Sequence, residues 1–267
     1  MVTKQDVFTF LKEMGITKTD TVLVHSSMRS LGGVEGGCDG LIDAFKAYLS
    51  EGLFIVPAHT WDRVNKDNPL FDAQKTMPCT GALCTVAVGR SDGVRSLHPT
   101  HSVVAFGKRA EDFVKGEETA TTPTPHGGVW DRLYDEHAKI LLIGIGHERN
   151  TYFHAVDERL DLPDCLVDAP FDVTIIDKDG RTYQTSLYAH KGKRSEQFPN
   201  YKRALEHFDA VRYGKLGNAL VYCCDAVKCT KVLELLWEKA DYNLCAELKE
   251  IPESYYKEER ENLYADL

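Results

Sequence analysis

The amino-acid sequence predicts a mixed α/β fold built as a single domain. Short apolar runs at 21–25, 53–57 and 139–144 are typical of strands that a sheet buries on both faces. A glycine-rich loop and apolar residues with helical spacing lie between the first two runs, which is the order of a parallel α/β unit. No low-complexity linker interrupts the 267 residues, so we expect one domain over 1–267.

The remaining elements follow from local patterns. Thr3 and Asp6 precede spaced apolar residues, which predicts a capped helix ending near Gly15. Residues 58–81 show no periodicity, and a loop of this length in a compact domain is usually functional or disordered. In order, the other predicted elements are a helix over 41–49, a strand at 103–107, helices at 110–114 and 130–136, a hairpin of 171–177 with 181–188, a strand at 219–224 and a helix at 225–239.

Charge is distributed unevenly along the chain. The formal net charge of −9 argues against nucleic-acid binding as the main function, because that binding relies on clustered Lys and Arg. The stretch 187–215 is basic and could hold phosphates or form a solvated loop, whereas 241–267 is an acidic tail.

The chain shows no pattern of a membrane or secreted protein. It begins without a basic segment followed by an apolar run, and no apolar run approaches ~20 residues. We therefore expect a cytoplasmic protein, a monomer or homodimer with no membrane contact, whose cysteines are reduced.

A first polar cluster directly follows the strand at 21–25. It contains His25, Ser26, Ser27, Met28 and Arg29. Hydroxyls, backbone amides and a cation at the carboxyl end of a buried strand suit a cofactor tail with phosphate or amide groups. The alternative is a serine-rich turn that caps the next helix.

A second cluster precedes the strand at 103–107 and contains Arg95, Ser96, His98 and His101. The two histidines have a spacing that metal ligands can adopt. No acidic or cysteine partner lies nearby in the sequence, so we predict histidines that form hydrogen bonds in an ordered loop, and no metal site.

A third cluster follows the strand at 139–144. If Asn150 or Thr151 caps a helix, His154 lies in its first turn, with Asp157 and Glu158 on the same face. A carboxylate beside an imidazole fixes its tautomer and raises its basicity, as a general base requires. A histidine with a structural role is the alternative.

Several common enzyme signatures are absent from the sequence. There is no phosphate-binding P-loop, no G-x-S-x-G elbow, no H-E-x-x-H and no dinucleotide-binding G-x-G-x-x-G. Residues 29–34 approach the cofactor loop of GCN5-type acetyltransferases, but Val34 occupies the position of a small residue.

Taken in order, seven segments resemble the aminoglycoside 3-N-acetyltransferase family, also called antibiotic N-acetyltransferases, over about residues 3–240. They are V-L-V-H-S-S-M (22–28), the glycine-rich loop, V-P-A-H-T (56–60), R-S-x-H-P-T-H-S-V-x-A-x-G (95–107), K-I-L-L-I-G (139–144), N-T-Y-F-H-A-V-D-E (150–158) and K-L-G-N-A (215–219). The resemblance implies this family's own α/β fold, which differs from the GCN5-type fold.

The resemblance also implies an activity. Members transfer the acetyl group of acetyl-coenzyme A to a primary amine, in antibiotic-resistance members the 3-amino group of a 2-deoxystreptamine aminoglycoside. The motif histidine corresponds to His154, which would act as general base in a direct transfer through a ternary complex. The family often has Glu three residues later, where this chain has Asp157 followed by Glu158, so either carboxylate could orient His154.

The resemblance assigns further residues to the cofactor, and the irregular loop itself offers candidates for the acceptor. The cofactor-binding positions are His25, Ser26, Ser27, Met28, Arg29, Arg95, Ser96, Thr151 and Phe153. For the amine acceptor, Asp62, Asp67 and Asp72 of the irregular loop could form an acidic wall, or could equally be turn residues. Two alternatives remain, namely the same chemistry on a different amine, and a catalytically silent relative that binds coenzyme A.

Overall fold

The computed structural model describes residues 1–241, 250–259 and 263–264. Most of the predicted acidic tail, 241–267, therefore lies outside the described residues. None of the described helices is long and apolar enough to cross a membrane.

A seven-stranded mixed sheet forms the centre of the molecule. Its strands are β1 Thr21–Ser26, β2 Leu53–Pro57, β4 Val94–Arg95, β5 Val103–Phe106, β6 Lys139–Ile143, β9 Val211–Leu216 and β10 Ala219–Asp225. They lie in the order β4-β5-β2-β1-β6-β10-β9. The three central strands β2, β1 and β6 are parallel, and antiparallel strands flank them on both sides. The three apolar runs of the sequence are these parallel strands, and the predicted mixed α/β fold is confirmed.

A second sheet has three strands. It combines β3 Leu70–Asp72 with the hairpin β7 Phe171–Ile176 and β8 Thr182–Leu187, in the order β3-β7-β8. The hairpin is predicted correctly. Strand β3 lies inside the loop 58–81, where no strand is predicted, because its pairing partner is about a hundred residues away.

Helices cover both faces of the large sheet. They are α1 Lys4–Glu13, α2 Gly37–Tyr48, α3 Ala82–Gly89, α4 Ala110–Phe113, α5 Arg132–Asp135, α6 Tyr152–Arg159, α7 Lys202–His207 and α8 Ala226–Lys239. Val22 and Val24 of β1 pack with α1, α2 and α3, whereas Leu23 points to the face covered by α4 to α8. Burial on both faces explains why β1 is continuously apolar.

The basic stretch 187–215 is folded. It contains a 3-10 helix at Arg194–Tyr201, then α7 and β9. Its cations are largely ion-paired, since Lys191 contacts Asp164 at 3.0 Å and Lys193 contacts Glu196 at 3.1 Å. The interpretation of this stretch as a loop is therefore wrong, although many of its cations are exposed to solvent. The ion pairs compete with the use of these cations for binding phosphates.

Candidate active site

A cavity of about 690 Å³ opens at the carboxyl ends of the parallel strands. His25 and Ser26 at the end of β1, His59 just after β2, and His154 in α6 after β6 all line it. A cavity of this size at the end of a parallel sheet is the usual place for a small-molecule site in α/β proteins.

His154 lies in the first turn of α6 and forms part of the cavity wall. Its Nδ1 is buried, has no hydrogen-bond partner, and lies 3.9 Å from Oδ2 of Asp157. The two ring nitrogens point in different directions. With Nδ1 buried toward Asp157, Nε2 is the nitrogen that can contact a ligand in the cavity. Burial, reinforced by the neighbouring His190 and Arg194, lowers the pKa of His154 well below its usual value, so the ring is neutral at neutral pH.

Asp157 is the carboxylate nearest to His154, and it is almost completely buried. Its Oδ2 accepts a hydrogen bond of 2.8 Å from Nε of Arg194, whose guanidinium lies 5.2 Å from the ring centre of Trp237. Burial raises the pKa of Asp157, and the contact with Arg194 opposes that shift. The ion pair supports the wall of the cavity from behind.

Glu158 binds a different imidazole. Its Oε1 accepts hydrogen bonds from the backbone NH and hydroxyl of Thr124, at 2.9 and 2.6 Å, and from Nε2 of His190 at 3.1 Å. Of the two carboxylates that the sequence offers to His154, the geometry thus places Asp157 beside it and commits Glu158 to His190.

Thr151 precedes α6 but does not cap it with its side chain. Its hydroxyl instead forms a 3.0 Å hydrogen bond with Nε2 of His59. The His59 ring stacks on Trp130 at 5.3 Å, and His25 stacks on the same indole at 5.9 Å. Burial lowers the pKa of His25 to about 3, and that of His59 well below its usual value.

The two histidines of the second cluster form hydrogen bonds in an ordered loop, which confirms that prediction. Nδ1 of His98 accepts the backbone NH groups of Thr100 and His101, and its Nε2 donates to the carbonyl oxygen of Thr122 at 2.8 Å. This pattern fixes the tautomer of His98. His98 lies behind the cavity, whereas His101 lines it.

Arg95 and Ser96 lie outside the cavity lining. Arg95 donates to the carbonyl oxygens of Ala73 and Thr76, and its guanidinium lies 4.8 Å from the ring centre of Phe71. Ser96 accepts the backbone NH of Val103. Their polar groups brace the irregular loop and strand β5, and the structure does not bring them to the cavity.

Among the other predicted cofactor residues, His25, Ser26 and Thr151 line the cavity and four do not. Ser27 accepts a hydrogen bond from the Ser30 hydroxyl, Met28 packs against the core, and Arg29 is exposed. Phe153 is fully buried and supports Phe198, which does line the cavity.

The predicted acidic wall is not part of the cavity lining. Asp62 and Asp67 are exposed, while Asp72 accepts the backbone NH groups of Gln74 and Lys75 as a turn residue. Among the described residues that line the cavity, Glu148 is the one whose side chain is a carboxylate. Glu148 closely follows β6, as His154 does, so its position after a buried strand also predicts a place near the site.

Six of the described cavity-lining side chains have buried polar atoms without a hydrogen-bond partner. Three are the histidines His25, His59 and His154, and the others are the hydroxyl oxygens of Ser26 and Thr80 and both amide atoms of Asn150. Buried polar atoms are normally paired, so this set fits a ligand that brings its own amide or carbonyl groups. The pantetheine arm of coenzyme A has two amides.

Sequence reasoning missed His190 and Arg194. Both lie in the basic stretch, 36 and 40 positions after His154, and contact the site only through the fold. The sequence offers only a weak signal for His190, namely that this histidine closely follows the predicted hairpin.

Comparison with known proteins identifies the family of the chain. Residues 23–237 match the model of the family described as aminoglycoside 3-N-acetyltransferase. The chain is 30% identical to aminoglycoside N(3)-acetyltransferase IV of a Salmonella species, over 81% of this chain and 80% of the relative. It is 28% identical to the aminoglycoside N(3')-acetyltransferase-like protein YokD of Bacillus subtilis, over 81% and 85% of the two chains.

Solved structures show the same fold. An alanine variant of aminoglycoside acetyltransferase AAC(3)-IVa, in complex with a gentamicin, superposes with a TM-score of 0.76 at 24% identity, covering 90% of each chain. AAC-IIIb in a binary complex with CoASH superposes with a TM-score of 0.77 at 20% identity, covering 89% of this chain and 97% of the other. From the extent of the family match and the relative at 30% identity, we conclude that the chain belongs to the aminoglycoside 3-N-acetyltransferase family of acyltransferases.

Proposed function

We propose that this enzyme transfers the acetyl group of acetyl-coenzyme A directly to a primary amine in the 690 Å³ cavity, with His154 as general base. The acceptor group that we propose is the 3-amino group of a 2-deoxystreptamine aminoglycoside. The observation that carries this proposal is a neutral imidazole on the cavity wall with a buried carboxylate 3.9 Å behind it.

The chemistry follows from the protonation states. Acetyl-coenzyme A supplies a thioester whose carbonyl carbon accepts an amine. An amine in solution is mostly ammonium, and it loses that proton to the solvent before it attacks. The attacking nitrogen must then lose a second proton as the amide forms, which a neutral imidazole can accept. When Nε2 of His154 accepts that proton, Asp157 stabilises the imidazolium from the Nδ1 side.

The residues that would hold the cosubstrate are Ser26, Thr80 and Asn150. Their side chains line the cavity, and their buried polar atoms, which have no hydrogen-bond partner, would pair with the amides of the pantetheine arm after a change of rotamer. The complex of AAC-IIIb with CoASH supports coenzyme A as the ligand of this fold.

Two findings support an aminoglycoside as the acceptor. The relative AAC(3)-IVa has been crystallised with a gentamicin and with apramycin. In this chain, Glu148 gives the cavity lining a carboxylate for an ammonium group, and the half-exposed indole of Trp61 offers a flat apolar surface to a sugar ring.

The test is the variant His154→Ala, assayed by thiol release from acetyl-coenzyme A with gentamicin or apramycin. We expect kcat to fall by about 10²-fold or more, the usual size of a general-base contribution, while calorimetry gives a coenzyme A Kd within about twofold of wild type. His126→Gln, at an exposed position, is the matched control and should retain full activity.

Each other outcome has a definite meaning. Full activity of His154→Ala would refute the general base. Mass spectrometry could find an acetyl group on a different amine and none on aminoglycosides. That result would replace the proposed acceptor but retain the proposed reaction. Coenzyme A binding without transfer to any amine would identify a silent relative.

A further inference from the structure

Glu158 and His190 form a second carboxylate–imidazole pair next to the proposed base. The Nε2–H of His190 donates to Oε1 of Glu158 at 3.1 Å, a true hydrogen bond, whereas the atoms of the His154–Asp157 pair are 3.9 Å apart. His190 also lines the cavity. The proposed function gives this pair no task.

Glu158 is built to remain ionised. Burial acts to raise the pKa of this carboxyl, but hydrogen bonds from His190 and Thr124 outweigh that effect and leave the pKa below its usual value. An ionised carboxylate with three donors on one oxygen holds the His190 ring in a fixed orientation. Because Nε2 is bound to Glu158, Nδ1 is the nitrogen left on the other side of the ring.

The two imidazoles are in direct contact. The rings of His154 and His190 stack with centroids 4.0 Å apart and an angle of 21° between their planes. His101 contacts the His190 ring edge-on at 5.3 Å. Two stacked rings cannot both carry a positive charge without strong repulsion, so at most one ring of the pair is charged at a time.

We propose that His190 is the general acid of the reaction, so that the stacked imidazoles divide its two proton transfers. This inference rests on the proposed function. The amine nitrogen forms its bond to the acetyl carbon as the carbon–sulfur bond breaks. Nε2 of His154 accepts the amine proton, and Nδ1 of His190 donates a proton to the departing sulfur.

The charge of the stacked pair stays constant through this step. His190 enters as an imidazolium paired with Glu158 and leaves neutral, while His154 enters neutral and leaves as an imidazolium beside Asp157. Transfer of one proton from His154 to His190 through water then restores the starting state. The products are the N-acetylated amine and the free thiol.

The first experiment varies the leaving group. Wild type, His190→Gln and His154→Ala are compared with acetyl-coenzyme A and with S-acetyl-4-nitrothiophenol, whose acidic thiol leaves without needing a proton. We expect His190→Gln to lose about 10²-fold in kcat with acetyl-coenzyme A and less than about threefold with the aryl thioester. His154→Ala should be impaired with both donors, because the amine must still lose its proton.

Equal losses for His190→Gln with both donors would overturn the acid role and leave the proposed function intact. Absence of transfer by the wild-type enzyme to any amine from acetyl-coenzyme A would instead refute the proposed function. Coenzyme A binding and circular dichroism of His190→Gln establish that the variant is folded.

The second experiment reads protonation directly and needs no turnover. In protein labelled with ¹⁵N-histidine, the His190 signals are those that His190→Gln lacks. We expect both ring nitrogens of His190 to carry a proton at pH 7, with the Nε2 proton shifted downfield by its bond to Glu158. An unprotonated Nδ1 at this pH would overturn the proposal.

Discussion

At the scale of single residues, the contact between Asp157 and Arg194 is the most consequential in the site. The Asp157 side chain is 1% exposed and that of Arg194 is 17% exposed, so the two charges share a poorly solvated region. A buried charge left without its partner is costly, whereas replacing both partners by neutral groups is much less so.

We predict that Arg194→Met lowers the free energy of unfolding by about 3 kcal/mol or more. Asp157→Asn should also be destabilising, because it leaves the Arg194 guanidinium without its charged partner. In the double variant, the free energy of unfolding should fall by less than the sum of the two single decreases, because neither charge remains. Urea unfolding of the four proteins measures this coupling, and additive losses would show that the contact contributes nothing.

Some site residues can be predicted from the sequence and others cannot. Ser26, Thr151 and His154 are predicted because each closely follows a strongly apolar strand, and such strands end at a common edge of the sheet. His190 and Arg194 reach the site from a segment with no comparable pattern. Their contacts depend on how the chain packs after β8.

At the scale of elements, helix α1 is the clearest case of local sequence determining local structure. The Thr3 hydroxyl accepts the backbone NH of Asp6, and the Asp6 carboxylate accepts the backbone NH of Thr3 at 2.8 Å. This reciprocal capping box satisfies donors that the first turn of a helix leaves free.

We predict that Thr3→Ala lowers the free energy of unfolding by about 1 kcal/mol, because the capping oxygen is lost. Thr9→Ala is the matched control, since Thr9 is an exposed residue in the middle of the same helix. Alanine is the better helix former there, so that change should be neutral or slightly stabilising. Equal effects in urea unfolding would refute a specific capping contribution.

Shortness or an exposed surface explains why sequence reasoning missed β3, α7 and β9. Strands β1, β2 and β6 carry their own signal, because burial on both faces demands continuous apolar residues. Strand β3 has three residues and α7 has six, too short for a period to show. Strand β9 has buried ends and a largely exposed centre, and it is held by β10, its hairpin partner.

At the scale of the whole molecule, the cluster of buried histidines links folding to pH. Burial lowers the pKa of His25 to about 3 and of His98 to about 4, and it lowers those of His59, His101 and His154 well below the usual value. In the unfolded chain these rings titrate near ~6.5. Between these values the unfolded chain binds more protons than the folded one.

We therefore predict that the free energy of unfolding falls as pH drops below about 6.5, with each ring contributing up to about 1.4 kcal/mol per pH unit. Urea midpoints at pH 7.5, 6.5 and 5.5 measure the slope. His25→Asn should reduce that slope, whereas His126→Gln, at an exposed position, should not. A constant free energy over this range would contradict the prediction.

The cavity draws its wall from the end of β1, the loop after β2, the start of α6 and the segment up to Phe198. Contacts between such distant parts of a chain form only after long loops have closed, which makes them slow steps of folding. We therefore expect catalytic activity to return late in refolding, after the helical signal, in a stopped-flow refolding experiment that follows both. A nascent chain released before residue 198 cannot complete the wall, so a cell gains activity from this protein only when most of it has been synthesised.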